Sequence, residues 1–206
     1  MRKLVFTLVL LILNFLFSIT SISSAESLEL LRASIGIEIH SNGQSLKAKA
    51  NDRLTSGDKL SIYVIPEQDS FVYIINSNSK IASLIDLGGN PKKVLARSLR
   101  IYPSPSEGYR IDGNENIESF SIICSPKDLT SISQLFYGGS VAVGEWQSLE
   151  KIFFGDNQII DSSEPEDSFH FGGSLRSADT NPFINALSIS SGKTLVIKRY
   201  QFDVKK

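Results

Sequence analysis

Cysteine is almost absent from this chain: Cys124 is the only one in 206 residues. A disulfide within the chain is therefore excluded, although the N-terminus predicts export to an oxidising compartment. Cys124 lies in the apolar run Phe120–Cys124, which is typical of a strand. We expect a buried thiol there rather than a reactive one, since free cysteine is among the most buried residue types.

Histidine is also scarce, with His40 and His170 the only two. Neither lies near a Gly-x-Ser-x-Gly elbow or a catalytic cysteine signature. Zinc needs several ligands at recognisable spacing, and these histidines stand alone. We therefore predict no metal, no other cofactor and no catalytic residue from local motifs. A nucleophilic site at His40 or His170 would have to assemble in space from distant segments.

The chain also has no excess of charge of one sign, with 21 basic and 22 acidic residues and no polybasic stripe. Nucleic acid is therefore not an expected partner. The acidic run Glu164–Asp167 lacks the glycine and ligand spacing of a calcium loop. Gly88-Gly89 and Gly172-Gly173 lack the lysine and helix context of a phosphate-binding loop. No local motif singles out two carboxylates for glycoside hydrolysis.

A single long apolar run, Leu4–Phe17, follows the basic start Met1–Lys3. Ser23 and Ala25 place small side chains at the −3 and −1 positions of a cleavage site, which completes the layout of a secretory signal peptide. The run is shorter than the roughly 20 residues of a spanning helix. We predict a signal peptide over residues 1–25 and a periplasmic or extracellular location. An uncleaved anchor is the alternative, and no membrane span is expected after cleavage.

The rest of the chain contains short apolar runs in which β-branched and aromatic residues alternate with polar ones, as strands require. Strands are predicted over Ser34–His40, Leu60–Ile65, Phe71–Ile75, Ile81–Ile85, Leu99–Tyr102, Tyr109–Ile111, Ile117–Cys124 and Thr194–Val204.

Turn residues separate these runs. Ser41-Asn42-Gly43 is a hairpin signal, and Asn51–Lys59 is interpreted as a turn. Phe71–Ile75 is almost continuously apolar, so we expect a central strand buried on both faces, paired with Ile81–Ile85 in a hairpin. His40 falls on the polar phase of its strand, which favours a solvated histidine over a ligand.

Helical spacing of apolar residues begins after Pro126. One short helix is predicted over 128–136, with Asp128 accepting its first-turn amide hydrogens. A second is predicted over 145–154, with Trp146, Leu149, Ile152 and Phe153 on its core face. Residues 156–181 are polar and acidic and predict a mobile loop before the final strand.

Together these patterns predict a mainly β fold: an antiparallel, β-sandwich-like domain over residues 26–206 with two short helices. Residues 53–129 form its main block of strands. Residues 130–206 add a C-terminal extension that contains the helices, the loop and the last strand.

Residues 53–129 resemble a bacterial domain-of-unknown-function family, number four-three-eight-four. The matching features, in family order, are Gly57-Asp58 before a strand, Asp69–Asn76, Lys80–Ile85, Gly108–Ile111, and Phe120–Pro126. Ser70 replaces the usual turn glycine, and Leu87–Asn90 stands where a Leu-Phe-Pro-like segment is common. The resemblance implies an exported β-sandwich-like module without agreed catalytic residues.

Two functions follow as hypotheses, beside the plainer third one of a purely structural surface protein. The first is an exported, non-catalytic envelope or secreted module that binds a protein or a surface component, because the chain combines a β scaffold with an absence of catalytic motifs. The alternative is a small exported hydrolase whose site forms around His40 or His170 only in the folded chain.

Overall fold

The computed structural model describes residues 30–49, 52–85, 93–157 and 183–205. In these ranges the chain is mainly β, with two sheets and two α-helices, as the strand patterns predict. The predicted signal peptide, His170 and all but the first two residues of the predicted loop lie outside the described residues.

The first sheet is antiparallel and has the strand order β12-β1-β4-β8, with β2 on β1 and β9 on β4. Its strands among the described residues are β1 (Leu31–Ser41), β2 (Gln44–Lys47), β4 (Lys59–Pro66), β8 (Arg100–Tyr102), β9 (Tyr109–Arg110) and β12 (Ser188–Gly192).

The second sheet has the order β11-β6-β5-β10-β13-β3, with β7 on β5, and only its β13–β3 pair is parallel. Its strands in the described part of the chain are β3 (Arg53–Thr55), β5 (Ser70–Ser77), β6 (Ile81–Leu84), β7 (Lys93–Val94), β10 (Ile117–Ser125), β11 (Val141–Ala142) and β13 (Val196–Lys205). The interpretation of Asn51–Lys59 as a turn was therefore wrong in part, because β3 extends the sheet by pairing with the distant β13.

Both predicted hairpins are confirmed. In the β1–β2 hairpin Ser41 pairs with Gln44, and the two residues between them, Asn42 and Gly43, have φ of 51° and 76°. Positive φ at both central positions is the requirement that makes Asn-Gly a hairpin signal. In the second hairpin, Ile75 pairs with Leu84.

The central position of β5 is also confirmed, since β6 and β10 flank it. Val72 and Ile74 belong to the core between the sheets, whereas Tyr73 and Ile75 belong to a second core beneath the helices. Burial of both faces explains why this strand is a nearly continuous apolar run.

The core between the sheets contains apolar side chains of alternate positions from both layers. Ile35 and Ile37 of β1 meet Ile122 and Cys124 of β10 there, all nearly inaccessible to solvent. The expectation of a buried thiol at Cys124 is confirmed. Burial raises the pKa of this thiol to about 12.

The second core lies between the outer face of the second sheet and two helices, α1 (Thr130–Leu135) and α2 (Val143–Asn157). Trp146 and Phe153 of α2 are buried in it, as predicted, but Ile152 is 57% exposed. At roughly 100° per residue, Ile152 lies about 120° around the helix from Trp146. The prediction for Ile152 was therefore wrong, and Glu150 takes the buried position instead.

Asp128 does not cap α1. The N-cap residue of α1 is Leu129, and its side chain makes no capping hydrogen bond. Asp128 instead accepts a hydrogen bond of 2.6 Å from the hydroxyl of Tyr73, a residue of the neighbouring sheet. The prediction failed because it considered only partners close in the chain. The predicted loop also begins later than expected, since Asp156 and Asn157 still belong to α2.

None of the helices in the described ranges is long and apolar enough to cross a membrane. The chain's one cysteine also leaves it without a possible internal disulfide.

Candidate functional site: a polar cleft between the sheets

A cleft of about 230 Å³ opens between the two sheets, where β9 of the first sheet faces β5, β6 and β10 of the second. Its lining combines apolar side chains with several polar ones: Asn76, Ser83, Ile85, Tyr109, Arg110, Ile111, Asp112, Glu118 and Phe120. We call this opening the cleft.

Two aromatic rings form the apolar part of the cleft. Phe120 is buried on β10, and the ring centroid of Tyr109 lies 6.2 Å from that of Phe120. Gly108 lets the chain come this close to β4, because a Cβ at that position would lie 2.9 Å from the Cβ of Lys59 and 3.2 Å from the carbonyl oxygen of Leu60. The glycine thus allows the chain before Tyr109 to lie against β4 of the same sheet.

The hydroxyl of Tyr109 is buried and has no hydrogen-bond partner among the described residues. Burial is the main cause that raises its pKa above the ordinary range, and the neighbouring Tyr102 raises it further. Native proteins usually satisfy buried hydroxyls, so an unpartnered one on a residue that lines the cleft makes Tyr109 a candidate contact residue.

Asn76 and Glu118 supply polar atoms from two adjacent strands. The side-chain amide of Asn76 donates to the carboxylate of Glu118 at 2.7 Å and to the backbone oxygen of Ser119 at 3.4 Å. Burial raises the pKa of Glu118; the bond from Asn76 opposes that shift, while Asp112 and Glu115 reinforce it. A half-buried carboxylate with a raised pKa in a cleft is typical of a functional site.

The rim of the cleft is charged. Asp112 accepts hydrogen bonds from the backbone and side-chain nitrogens of Asn114, at 2.9 Å and 2.6 Å. Near it, Glu115 forms an ion pair of 2.9 Å with Lys80. Arg110 is exposed. These groups hold the loop before β10 in place beside Glu118.

The residues of the cleft could have been found only in part from sequence. Asn76 follows Val72 and Ile74 on the inward phase of β5, and Glu118 precedes Phe120 on the inward phase of β10. The sequence therefore showed that these polar residues lie on an otherwise apolar face. It did not show which of them contact one another. Tyr109 lies in the predicted strand Tyr109–Ile111, but nothing in that short pattern indicated a place in a binding site.

A separate group of polar residues surrounds His40 on the first sheet; we call it the His40 cluster. Nδ1 of His40 lies 2.8 Å from Oγ of Ser45, and Nε2 lies 3.0 Å from Oγ of Ser61. Nε2 also lies 3.6 Å from the carboxylate of Glu38, which accepts a 2.6 Å hydrogen bond from the hydroxyl of Tyr63.

The His40 side chain is 38% exposed, so it is only partly solvated. Ser45 is exposed, whereas Ser61 is buried. The structure therefore brings His40 together with serine and carboxylate, while His170 lies outside the described residues. Glu38 could have been noticed from sequence, because it shares the phase of His40 on β1.

No group of three or more histidine, cysteine, aspartate or glutamate side chains in the described ranges is arranged to hold a metal ion. A wider and shallower depression lies on α1 and the turn after it, lined by Thr130, Ser133, Gln134 and Tyr137. Tyr137 is 94% exposed, so this surface lacks the enclosure of the cleft.

Comparisons with protein-family models, with curated proteins and with solved structures found no match to this chain. The family resemblance of residues 53–129 stays a prediction. The function has to be inferred from the cleft and the His40 cluster.

Proposed function

We propose that this protein is an exported, non-catalytic module that binds a component of the cell envelope, a protein or a surface polymer, through the cleft. The observation that carries the proposal is that the hydrogen-bonded Asn76–Glu118 pair and Tyr109, whose buried hydroxyl has no partner among the described residues, line the same cleft between the two sheets. Concave sites with an apolar wall and a few convergent polar groups are the usual form of binding sites.

The size of the cleft limits what it holds. Pockets for drug-sized ligands measure about 300–1,000 Å³, and this cleft measures about 230 Å³. It therefore suits one side chain or one ring of a larger partner. Recognition of a group that projects from a protein or polymer agrees with an envelope-binding role.

The lining favours binding over catalysis. Neither a histidine nor a cysteine is among the residues that line the cleft. Its one strand serine, Ser83, lies 2.7 Å from the hydroxyl of Ser140, and no hydrogen bond among the described residues joins it to a base. Activation of a nucleophile requires such a base within hydrogen-bond reach.

Export is the second part of the proposal and depends on residues 1–25. N-terminal sequencing of the protein recovered from outside the cytoplasm is expected to start at Glu26. A start at Met1 would contradict cleavage and support the anchor instead.

Binding is tested by amide chemical-shift mapping on the purified exported protein with a panel of neutral sugars, amino acids and amines. We expect at least one class to shift the amides of Tyr109–Asp112 and Glu118–Phe120. Asn76→Ala is expected to weaken that response, and Asn185→Ala, at an exposed position away from the cleft, serves as the matched control. If the whole panel leaves the cleft amides unmoved, the proposal fails.

A second candidate function is a small exported hydrolase, favoured by the His40 cluster. The exposed Ser45 would act as the nucleophile, with His40 as its base and Glu38 beside the opposite ring nitrogen. Hydrolysis of p-nitrophenyl acetate tests it. Loss of activity in both Ser45→Ala and His40→Ala would support the hydrolase, and equal rates in all three proteins would dismiss it.

A further inference from the structure

We infer that the cleft takes a primary ammonium group at the end of a short apolar stem, such as a lysine side chain or an amine-bearing unit of a polymer. This inference rests on the proposed function and names the chemical class of the ligand. It is argued from the charges around Glu118, from the hydrogen-bonding capacity of the cleft and from its aromatic wall.

The charges near Glu118 favour a cation. Asp112 and Glu115 lie in the loop before β10 and act on Glu118 as like charges. Glu115 is paired with Lys80, and Arg110 on β9 is exposed at the rim. The other facing elements contribute uncharged groups: Asn76 and Ser83 on β5 and β6, and Phe202 as the register partner of Glu118 on β13.

The hydrogen-bonding capacity also favours a donor. Asn76 directs its side-chain nitrogen to Glu118 and to the backbone oxygen of Ser119. Of the two Glu118 oxygens, one accepts the described bond from Asn76, and the Tyr109 hydroxyl accepts none from the described residues. An ammonium group has three donors and no acceptor, which complements the carboxylate of Glu118.

The aromatic wall accounts for the stem. Tyr109 and Phe120 lie side by side along the cleft, and methylene groups pack against such rings while the charged end reaches a polar partner. A cation close to an aromatic face gains further attraction from the ring quadrupole. A sugar, by contrast, needs both donors and acceptors from its site.

The inference predicts a pH dependence. Ammonium binding needs ionised Glu118, whose pKa lies above its usual value in the unbound protein. Affinity should therefore rise as the pH passes upward through that pKa. It should fall again only near the amine's own pKa, roughly 10.

The experiment titrates the purified exported protein with n-pentylamine and, separately, with methyl glucoside, following the cleft amides. We expect the amine alone to shift Tyr109–Asp112 and Glu118–Phe120. Glu118→Gln should weaken amine binding about tenfold to a hundredfold, as loss of a charged hydrogen-bond partner does. Glu107→Gln, an exposed substitution outside the lining, should bind like the wild type.

The outcomes separate this inference from the proposed function. If methyl glucoside shifts the cleft amides and the amine does not, the ammonium inference falls while the binding module stands. Equal amine affinity in Glu118→Gln would also overturn the inference. If neither probe nor the wider panel moves the cleft amides, both fall. Thermal unfolding of each variant confirms that it is folded.

Discussion

The side-chain amide of Asn76 donates a 2.7 Å hydrogen bond to the carboxylate of Glu118 across the pair formed by β5 and β10. This bond lowers the pKa of Glu118, but burial raises it by more, so the net shift is upward. Ionisation of Glu118 therefore lowers the stability of the folded protein. A ligand that pairs with the carboxylate would raise it again.

Glu118→Gln is expected to stabilise the free protein at neutral pH. A carboxyl whose pKa is raised on folding contributes stability below its unfolded pKa, near 4.5, and loses it as the pH rises through the folded pKa. Glutamine keeps an acceptor for Asn76 but does not titrate. Urea unfolding at about pH 7 should show a more stable variant, with the difference absent near pH 4. A less stable variant at neutral pH would contradict the shift.

Tyr73→Phe is expected to destabilise the protein by about 1–3 kcal/mol, because it removes two hydrogen bonds, one of them to a carboxylate. The Tyr73 hydroxyl donates to Asp128 and accepts the amide hydrogen of Leu129, both at 2.6 Å, and so joins β5 to the start of α1. Tyr137→Phe, at a 94% exposed position, is the matched control. Urea unfolding measures both, and equal effects would exclude the proposed role of the hydroxyl.

Arg199→Met is expected to lower the free energy of unfolding by about 2 kcal/mol. This is below the range for a fully buried ion pair, because the Arg199 side chain is 33% exposed. It removes the 2.9 Å partner of Glu150, a nearly inaccessible carboxylate of α2 that also accepts a hydrogen bond from Ser121. The double variant Glu150→Gln, Arg199→Met should recover part of the loss. Additive losses in a double-mutant cycle would show that the pair is not coupled.

Gly192→Ala is expected to disrupt the turn between β12 and β13. A Cβ there would lie 1.7 Å from the carbonyl oxygen of Leu195, a backbone atom that cannot move aside alone. We expect a loss above about 2 kcal/mol, as for other strongly overpacked sites. Gly155→Ala, with open space around it in α2, should instead stabilise by about 0.5–1 kcal/mol. Thermal unfolding of the two variants checks the contrast.

Cys124 should resist a thiol reagent at about pH 8 while the protein is folded. Its side chain is buried between the sheets, so the reagent cannot reach it. Burial also raises its pKa to about 12, so little reactive thiolate is present at this pH. Labelling should become complete in denaturant. Rapid labelling of the native protein would show that the thiol is accessible.

The sequence by itself determined where the long strands β1, β4, β5, β10 and β13 lie. Alternation along β1 and β4, the continuous apolar run of β5 and the Asn42-Gly43 turn are local properties, and each predicted its element. Short elements escaped. β3 is a strand only because the distant β13 pairs with it.

The contacts between side chains were decided by tertiary structure. Asp128 is close to the amides of α1 in the chain, yet the sheet places the hydroxyl of Tyr73 against it. Likewise Glu150, a residue of the predicted helix without an assigned role, becomes a buried partner of Arg199. Helical periodicity gives a direction around the axis, but the position of the sheet decides which direction is the interior.

The contacts in both candidate sites were likewise decided by tertiary structure. His40 was visible as one of two histidines, but Ser45, Ser61 and Glu38 meet it only through the pairing of β1 with β2 and β4. The cleft brings together side chains from both sheets that lie between Asn76 and Phe120 in the chain. No local sequence pattern encodes their contact. Alternation of apolar and polar residues is a relation between neighbours in the chain, so the sequence alone reveals it. A site between two sheets depends on strand order and packing, which only the tertiary structure determines.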